Sequence, residues 1–173
     1  GILYIREGID LMHMKEGGTG SQSELLMQPE ICPDRYESGT PNTPGIVGLG
    51  AGIEFILEEG LDKIRKHEMY LLEVMLSELK KIKGVQIYGP KDPQKQAAVI
   101  SINIGSEDST KISYILDKDF DIAVRSGLHC APMAHQTIGT FGQGTVRFSF
   151  GYFTTEEEVY AGIHALKQIC KQM

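Results

Sequence analysis

Cys130, Arg125, His129 and Arg147 are the side chains whose types and spacing lend themselves to chemistry. The first three lie in Ala123-Val124-Arg125-Ser126-Gly127-Leu128-His129-Cys130-Ala131-Pro132, which reads as a strand end passing through a glycine turn into a histidine, a cysteine and a proline. A thiol attacks as the thiolate, its ordinary pKa is about 8.5, and a nearby cation or a helix N-terminus lowers that value. Arg125 and His129 supply candidate charge. Pro132 is a residue type favoured in the first turn of a helix, which would set Cys130 near the positive end of a dipole. Against this stands a plainer reading, that Cys130 packs as a small hydrophobe, as most free cysteines do. These residues alone leave both open.

A further cation lies on a different element. Thr145-Val146-Arg147-Phe148-Ser149 alternates as a half-buried strand, with Val146 and Phe148 on the core face and Arg147 on the other. A guanidinium fork held on a strand suits a planar carboxylate. An exposed strand charge of little energetic weight is the competing reading.

Three ordered stretches together carry a resemblance: Arg35-Tyr36-Glu37-Ser38-Gly39-Thr40-Pro41-Asn42-Thr43-Pro44-Gly45-Ile46, then Arg125 to Pro132, then Gly144 to Ser149. They resemble the pyridoxal-phosphate-dependent cysteine desulfurases of the class V aminotransferase group, most closely the branch of sulfur-mobilisation and selenocysteine-lyase enzymes. The resemblance runs over essentially the whole chain. It implies an α/β fold, the C-terminal part of a fold-type I transferase. Residues 1–43 would end the large cofactor domain, 44–84 would be connecting helices, and 85–173 would form a small α+β domain. It also implies that Cys130 attacks the sulfur of a cofactor-bound cysteine and carries it as a persulfide, leaving alanine. Arg147 would bind the substrate carboxylate, Arg125 and His129 would shape the pocket, and Thr40 would reach the cofactor phosphate of a neighbouring subunit in a homodimer. A sulfur-acceptor protein and a part in iron–sulfur cluster assembly belong to the same implication. Selenocysteine as substrate, and other reactions of the same cofactor, stay open. Leu128 stands where many relatives carry another histidine, which removes any proton-transfer role there.

Composition narrows the alternatives. With 173 residues, 41% hydrophobic and 23% charged, the chain matches an ordinary globular protein able to bury a core. A net charge of -6 argues against a nucleic-acid surface, which needs clustered lysine and arginine. No apolar run approaches the roughly 20 residues needed to span a bilayer, and nothing reads as a signal peptide. Three cysteines without close pairing fit a reducing compartment, so a cytoplasmic protein is expected. A zinc site of Cys32, His129, Cys130 and His135 is disfavoured by its adjacent ligands and the absence of a Cys-x-x-Cys pair, so no metal is expected. A phosphotyrosine-type phosphatase loop would need an arginine where Gln136 stands. No aspartate or second histidine is fixed near Cys130 for a hydrolase triad.

The supporting elements follow in order. Gly1-Ile2-Leu3-Tyr4-Ile5 is a continuous apolar run of the kind found in strands buried on both faces. With no methionine before it, it reads as a chain entered in mid-fold. The resemblance likewise places the Schiff-base lysine, the ring-stacking group and the ring-nitrogen aspartate upstream, which would leave the piece inactive alone or a non-catalytic folded module. Lys15 to Asn42 reads as a long loop, with Gly17-Gly18-Thr19-Gly20-Ser21 a flexible turn before a weak anion cradle. Thr43 and Pro44 open a helix whose Gly45, Gly48, Gly50 and Gly52 suggest close backbone packing, with a partner subunit as one candidate neighbour. A second helix carries Ile64, Leu71, Leu72, Met75, Leu76, Leu79 and Ile82 to a stop at Gly84. Val85 to Tyr88 and Ala97 to Ile104 read as a hairpin, and Ser106 or Asp108 as the cap of a helix bearing Ile112, Ile115 and Leu116. Asp121 to Val124 reads as a strand, residues 133–144 as a short helix and a mobile loop, and Thr155 to Glu158 as a capping box. Cys170 falls on the apolar stripe of that last helix.

Overall fold

Three strands with alternating apolar residues build the centre of the protein. The computed structural model describes residues 1–172, and places β1 (Val85–Tyr88), β2 (Val99–Ile104) and β3 (Val146–Ser149) in one antiparallel sheet of that order. Ile87 lies opposite Ile102, Ile102 opposite Val146 and Ile100 opposite Phe148, so the period of two puts the aliphatic residues on one face. Gln86, Ser101, Asn103 and Arg147 share the other. One face of the sheet is thus polar and the other apolar.

Helices cover the apolar face. α2 (Leu61–Leu79) buries Leu71, Leu72, Met75, Leu76 and Leu79 along one side, and α5 (Glu156–Gln172) buries Val159, Ile163, Leu166 and Ile169 at helical spacing. α3 (Ser109–Phe120) adds Ile112 and Leu116 to the same cluster. Each fully buried aliphatic side chain contributes about 1.5–3 kcal/mol relative to exposure. The caps expected from sequence are present. Asp108 accepts the Thr110 N–H at 2.6 Å, which holds its carboxyl below the usual range. Thr155 N–H donates to Glu158 at 2.8 Å while Glu158 N–H donates to the Thr155 hydroxyl at 3.2 Å, a reciprocal capping box. Cys170 packs against this core, and burial pushes its thiol up. On the rim, Glu78 of α2 binds Lys81 and, at 2.8 Å, Lys167 of α5; these two ammonium partners hold its carboxyl at about 2.

The chain separates into a unit Gly1–Glu59 and a second from Gly60 onward. In the first, a 3-10 turn (Asp34–Tyr36) precedes α1 (Thr43–Glu59). The long loop before them is pinned to itself. Gln28 donates to the Asp34 carbonyl at 2.7 Å and accepts Gly17 N–H at 3.2 Å. Ser21 donates to Asp34, and Gly39 N–H donates to the Gly18 carbonyl at 2.8 Å.

Several expectations change here. Gly1 to Ile5 forms no strand, and Ile2, Leu3 and Tyr4 are exposed, because a strand needs a neighbour to pair its backbone and no described strand pairs with it. Asp121 to Val124 is not a strand either. Asp121 ends α3 in a left-handed conformation, and the segment meets the sheet only at Arg125. α1 buries no residue; a Cβ added at Gly45 falls 2.6 Å from the Asn42 side chain, while one at Gly48, Gly50 or Gly52 meets nothing within 4 Å among the described residues. α2 stops at Leu79, short of Ile82, and Gly84 follows at a φ of +91°.

Candidate functional site

Arg125 and Arg147 face one another across the edge of the sheet. Arg125 N–H donates to the Arg147 carbonyl at 3.2 Å and Arg147 N–H returns to the Arg125 carbonyl at 2.7 Å. Directly opposed residues of an antiparallel pair point to the same side, so both guanidinium side chains leave the sheet on its polar face. From Arg125 the chain turns back on itself. Gly127 has a φ of +89°, His129 of +52° and Cys130 of +58°, and Ala131 N–H closes the reversal on the Leu128 carbonyl at 2.8 Å. Two central residues at positive φ are the signature of a primed turn, where asparagine and glycine are favoured. Here the positions hold His129 and Cys130.

The turn delivers the sulfur back to its starting arginine. Arg125 Nη2 donates to Cys130 Sγ at 3.0 Å, and the cysteine is exposed. The alternative of Cys130 as a packed hydrophobe is thereby set aside. α4 (Pro132–Thr137) begins at the proline expected in its first turn.

His129 is held from behind. Its Nε2 lies 2.9 Å from the Thr145 hydroxyl, its ring centre 5.5 Å from that of His135, and its Nδ1 is buried without a partner. Burial, followed by the positive charge of Arg147 and then His135 and Arg125, pushes its pKa down, so the neutral imidazole is favoured. His135 is 4% exposed and its Nδ1 lies 2.7 Å from the Thr140 hydroxyl. Arg147 Nε is also buried, and has no hydrogen-bond partner among the described residues.

Cys130, Arg125, His129 and Arg147 are thus brought together as one cluster, while Thr40 lies exposed in the other unit beside Gly39, whose φ is +92°. The loop 139–144, expected to be mobile, is tied to its neighbours by hydrogen bonds. Thr140 N–H donates to the His135 carbonyl at 2.8 Å, Gly144 N–H to the Thr140 carbonyl at 2.7 Å, and the Gln143 carboxamide to the carbonyls of Gly105 at 3.1 Å and Glu107 at 2.6 Å. Sequence reading gave no role to Ser109, Asn103, Thr140, Gln143 or Thr145. These are ordinary polar residues on separate elements, and only their convergence behind the turn marks them. Among the described residues, no group of three His, Cys, Asp or Glu side chains is placed to hold a metal, and no helix is long and apolar enough to cross a membrane.

Comparison with known proteins gives the chain a family. A sequence model of the aminotransferase class-V family matches residues 1–161. A cysteine desulfurase of Escherichia coli O157:H7 is 36% identical over 178 residues, covering 98% of this chain and 41% of that protein. A probable cysteine desulfurase of Methanothermobacter thermautotrophicus is 38% identical over 142 residues, covering 81% and 35% respectively. Among solved structures, the apo cysteine desulfurase of Thermococcus onnurineus NA1 superposes with a TM-score of 0.79 at 32% identity, over 95% of this chain and 39% of that one. An Escherichia coli cysteine desulfurase superposes with a TM-score of 0.80 over 94% of this chain and 39% of that one; at 21% identity the likeness concerns the fold alone. The chain therefore spans about two fifths of the length of these relatives.

Proposed function

The chain belongs to the class-V aminotransferase family, and on that premise we propose that it is the sulfur-accepting, C-terminal portion of a cysteine desulfurase. The observation that carries this reading is the exposed Cys130 thiol, with Arg125 donating to it at 3.0 Å. Members of the family depend on pyridoxal phosphate, and the donor set present fits such a group and its substrate. Arg147 Nε is a buried, unpartnered donor suited to an amino-acid carboxylate, and Thr40 presents an exposed hydroxyl suited to a phosphate. Thr40 would hold the phosphate of the cofactor belonging to a neighbouring subunit of a homodimer. When bound, pyridoxal phosphate supplies electron withdrawal at the substrate α-carbon.

This chain's own residues orient the substrate and take the sulfur. Arg147 grips the carboxylate of L-cysteine, and neutral His129 beside it adds no third cation to the cluster. Arg125 holds the Cys130 sulfur on the same face. Cys130 Sγ then forms a bond to the substrate sulfur as the substrate carbon–sulfur bond breaks. The bonding pair stays with carbon, which takes a proton to give alanine, and Cys130 is left as a persulfide. An acceptor protein collects that sulfur for uses such as iron–sulfur cluster assembly, in the cytoplasm. Residues 1–43 belong to the cofactor domain in this reading, and the chain does not turn over cysteine alone, in keeping with its share of its relatives' length.

The test is Cys130→Ala in the intact enzyme. Sulfide release from L-cysteine is lost while the visible absorbance of the bound cofactor remains. Unchanged turnover refutes the assignment.

A further inference from the structure

Ser109, the first residue of α3, is 2% exposed, and its hydroxyl joins two segments that are distant in sequence. It donates to the Gln143 carbonyl at 2.8 Å and accepts Gly127 N–H at 3.3 Å. Gly127 opens the turn that carries Cys130, and Gln143 closes the loop that leads into β3 and Arg147. The same two segments meet again where Thr145 N–H donates to the Gly127 carbonyl at 3.1 Å. The Gln143 end is anchored independently. Its carboxamide binds the Gly105 and Glu107 carbonyls and accepts from Asn103 Nδ2 at 3.0 Å, and Asn103 is itself 2% exposed. The end of β2 and the start of α3 therefore form a fixed shelf, and the Ser109 hydroxyl reaches from it to the Gly127 amide.

The consequence for the thiol is geometric. The Arg125 backbone is fixed by its two hydrogen bonds to Arg147. The sulfur returns to that arginine only if the chain reverses between them, and Gly127 lies within the reversal. We propose that Ser109 is a positioning residue for Cys130, holding Gly127 against the shelf so that the sulfur stays on the face shared by Arg125 and Arg147. The role rests on reading Cys130 as the sulfur acceptor, but its test needs neither cofactor nor turnover.

Iodoacetate and iodoacetamide alkylate a thiolate by the same displacement, the carbon–sulfur bond forming as iodide leaves. They differ in that the first is an anion. The ratio of their rates at one cysteine therefore reads the positive field at that sulfur. Peptide mapping by mass spectrometry separates Cys130 from Cys32 and Cys170 in the 173-residue chain. In the unmodified protein the ratio at Cys130 exceeds that at Cys32. Ser109→Ala lowers it roughly threefold, the factor expected for losing one exposed charge contact, and speeds amide exchange at Gly127. Ile112→Val, on the same helix and 1% exposed, destabilises the core without touching the hydroxyl and leaves the ratio as it was. An unchanged ratio in Ser109→Ala, or an equal fall in Ile112→Val, overturns the proposal. If Cys130→Ala were instead to leave desulfuration intact, the functional reading would fail while this ratio still reported on Ser109.

Discussion

Gly144→Ala tests how tightly the two loops of the site are pressed together. Gly144 has a φ of +67°, and a Cβ built on it falls 2.7 Å from Gly127 Cα, 2.8 Å from Ser109 Oγ and 2.9 Å from the Gly127 carbonyl carbon. Two of those three atoms are backbone, and that backbone is itself held by the Ser109 and Thr145 hydrogen bonds, so no side-chain rotation relieves the clash. An L residue in the left-handed region costs about 1–2 kcal/mol. Overpacking a close contact adds about 1–3 kcal/mol, for a total of about 2–5 kcal/mol. Gly139→Ala is the matched control. Its φ is +73° but a Cβ there meets nothing within 4 Å, so it carries only the conformational cost. With a urea dependence of about 1–3 kcal/mol per molar, the two unfolding midpoints, followed by far-UV circular dichroism, separate by about 1 M, Gly144→Ala being the lower. Coincident midpoints would refute the close approach of Gly127 and Gly144.

Two further expectations concern pH. Because burial and the neighbouring cations hold back the imidazolium form of His129, the unfolded chain binds a proton near pH 6.5 that the folded chain does not. Stability is therefore complete above that pH and falls as pH drops through it; His129→Gln removes this slope from urea midpoints taken between pH 8 and 5, and a slope identical in the variant contradicts it. For Glu78 the carboxyl is held at about 2 from an ordinary 4.5, so its contribution is present above pH 4.5 and is lost as pH falls toward 2. Thermal unfolding of Glu78→Gln is expected to lack that part of the acid limb, and parallel limbs in the two proteins would count against the clasp.

The apolar pattern of the sheet and helices was legible because it is periodic. Ile100, Ile102 and Ile104 alternate on β2, and Val159, Ile163 and Leu166 recur at helical spacing, so burial follows from position. Caps were legible for the same reason, since Asp108 and the Thr155–Glu158 box satisfy neighbours close in sequence. The run Gly1 to Ile5 misled because a continuous apolar stretch states a preference for burial but names no partner. Within the site, Arg125, His129, Cys130 and Arg147 could be picked out by chemical type. The support behind them could not, because Ser109, Gln143 and Thr145 act through contacts that span long stretches of chain, and nothing local distinguishes a serine that anchors a turn from one that merely begins a helix. The loop 139–144 shows the same limit. Its glycines look like freedom, yet at Gly144 the missing side chain admits the Gly127 backbone, whereas Gly139 and Gly142 face open space.

His129 and Cys130 occupy a bend that glycine or asparagine would adopt more readily, and each non-glycine residue there costs about 1–2 kcal/mol. Selection for folding alone would therefore replace both, improving the bend while erasing the imidazole and the thiol. A lineage relieved of the proposed sulfur chemistry should drift at these two sites first and keep its scaffold longest, leaving an intact fold with a silent turn.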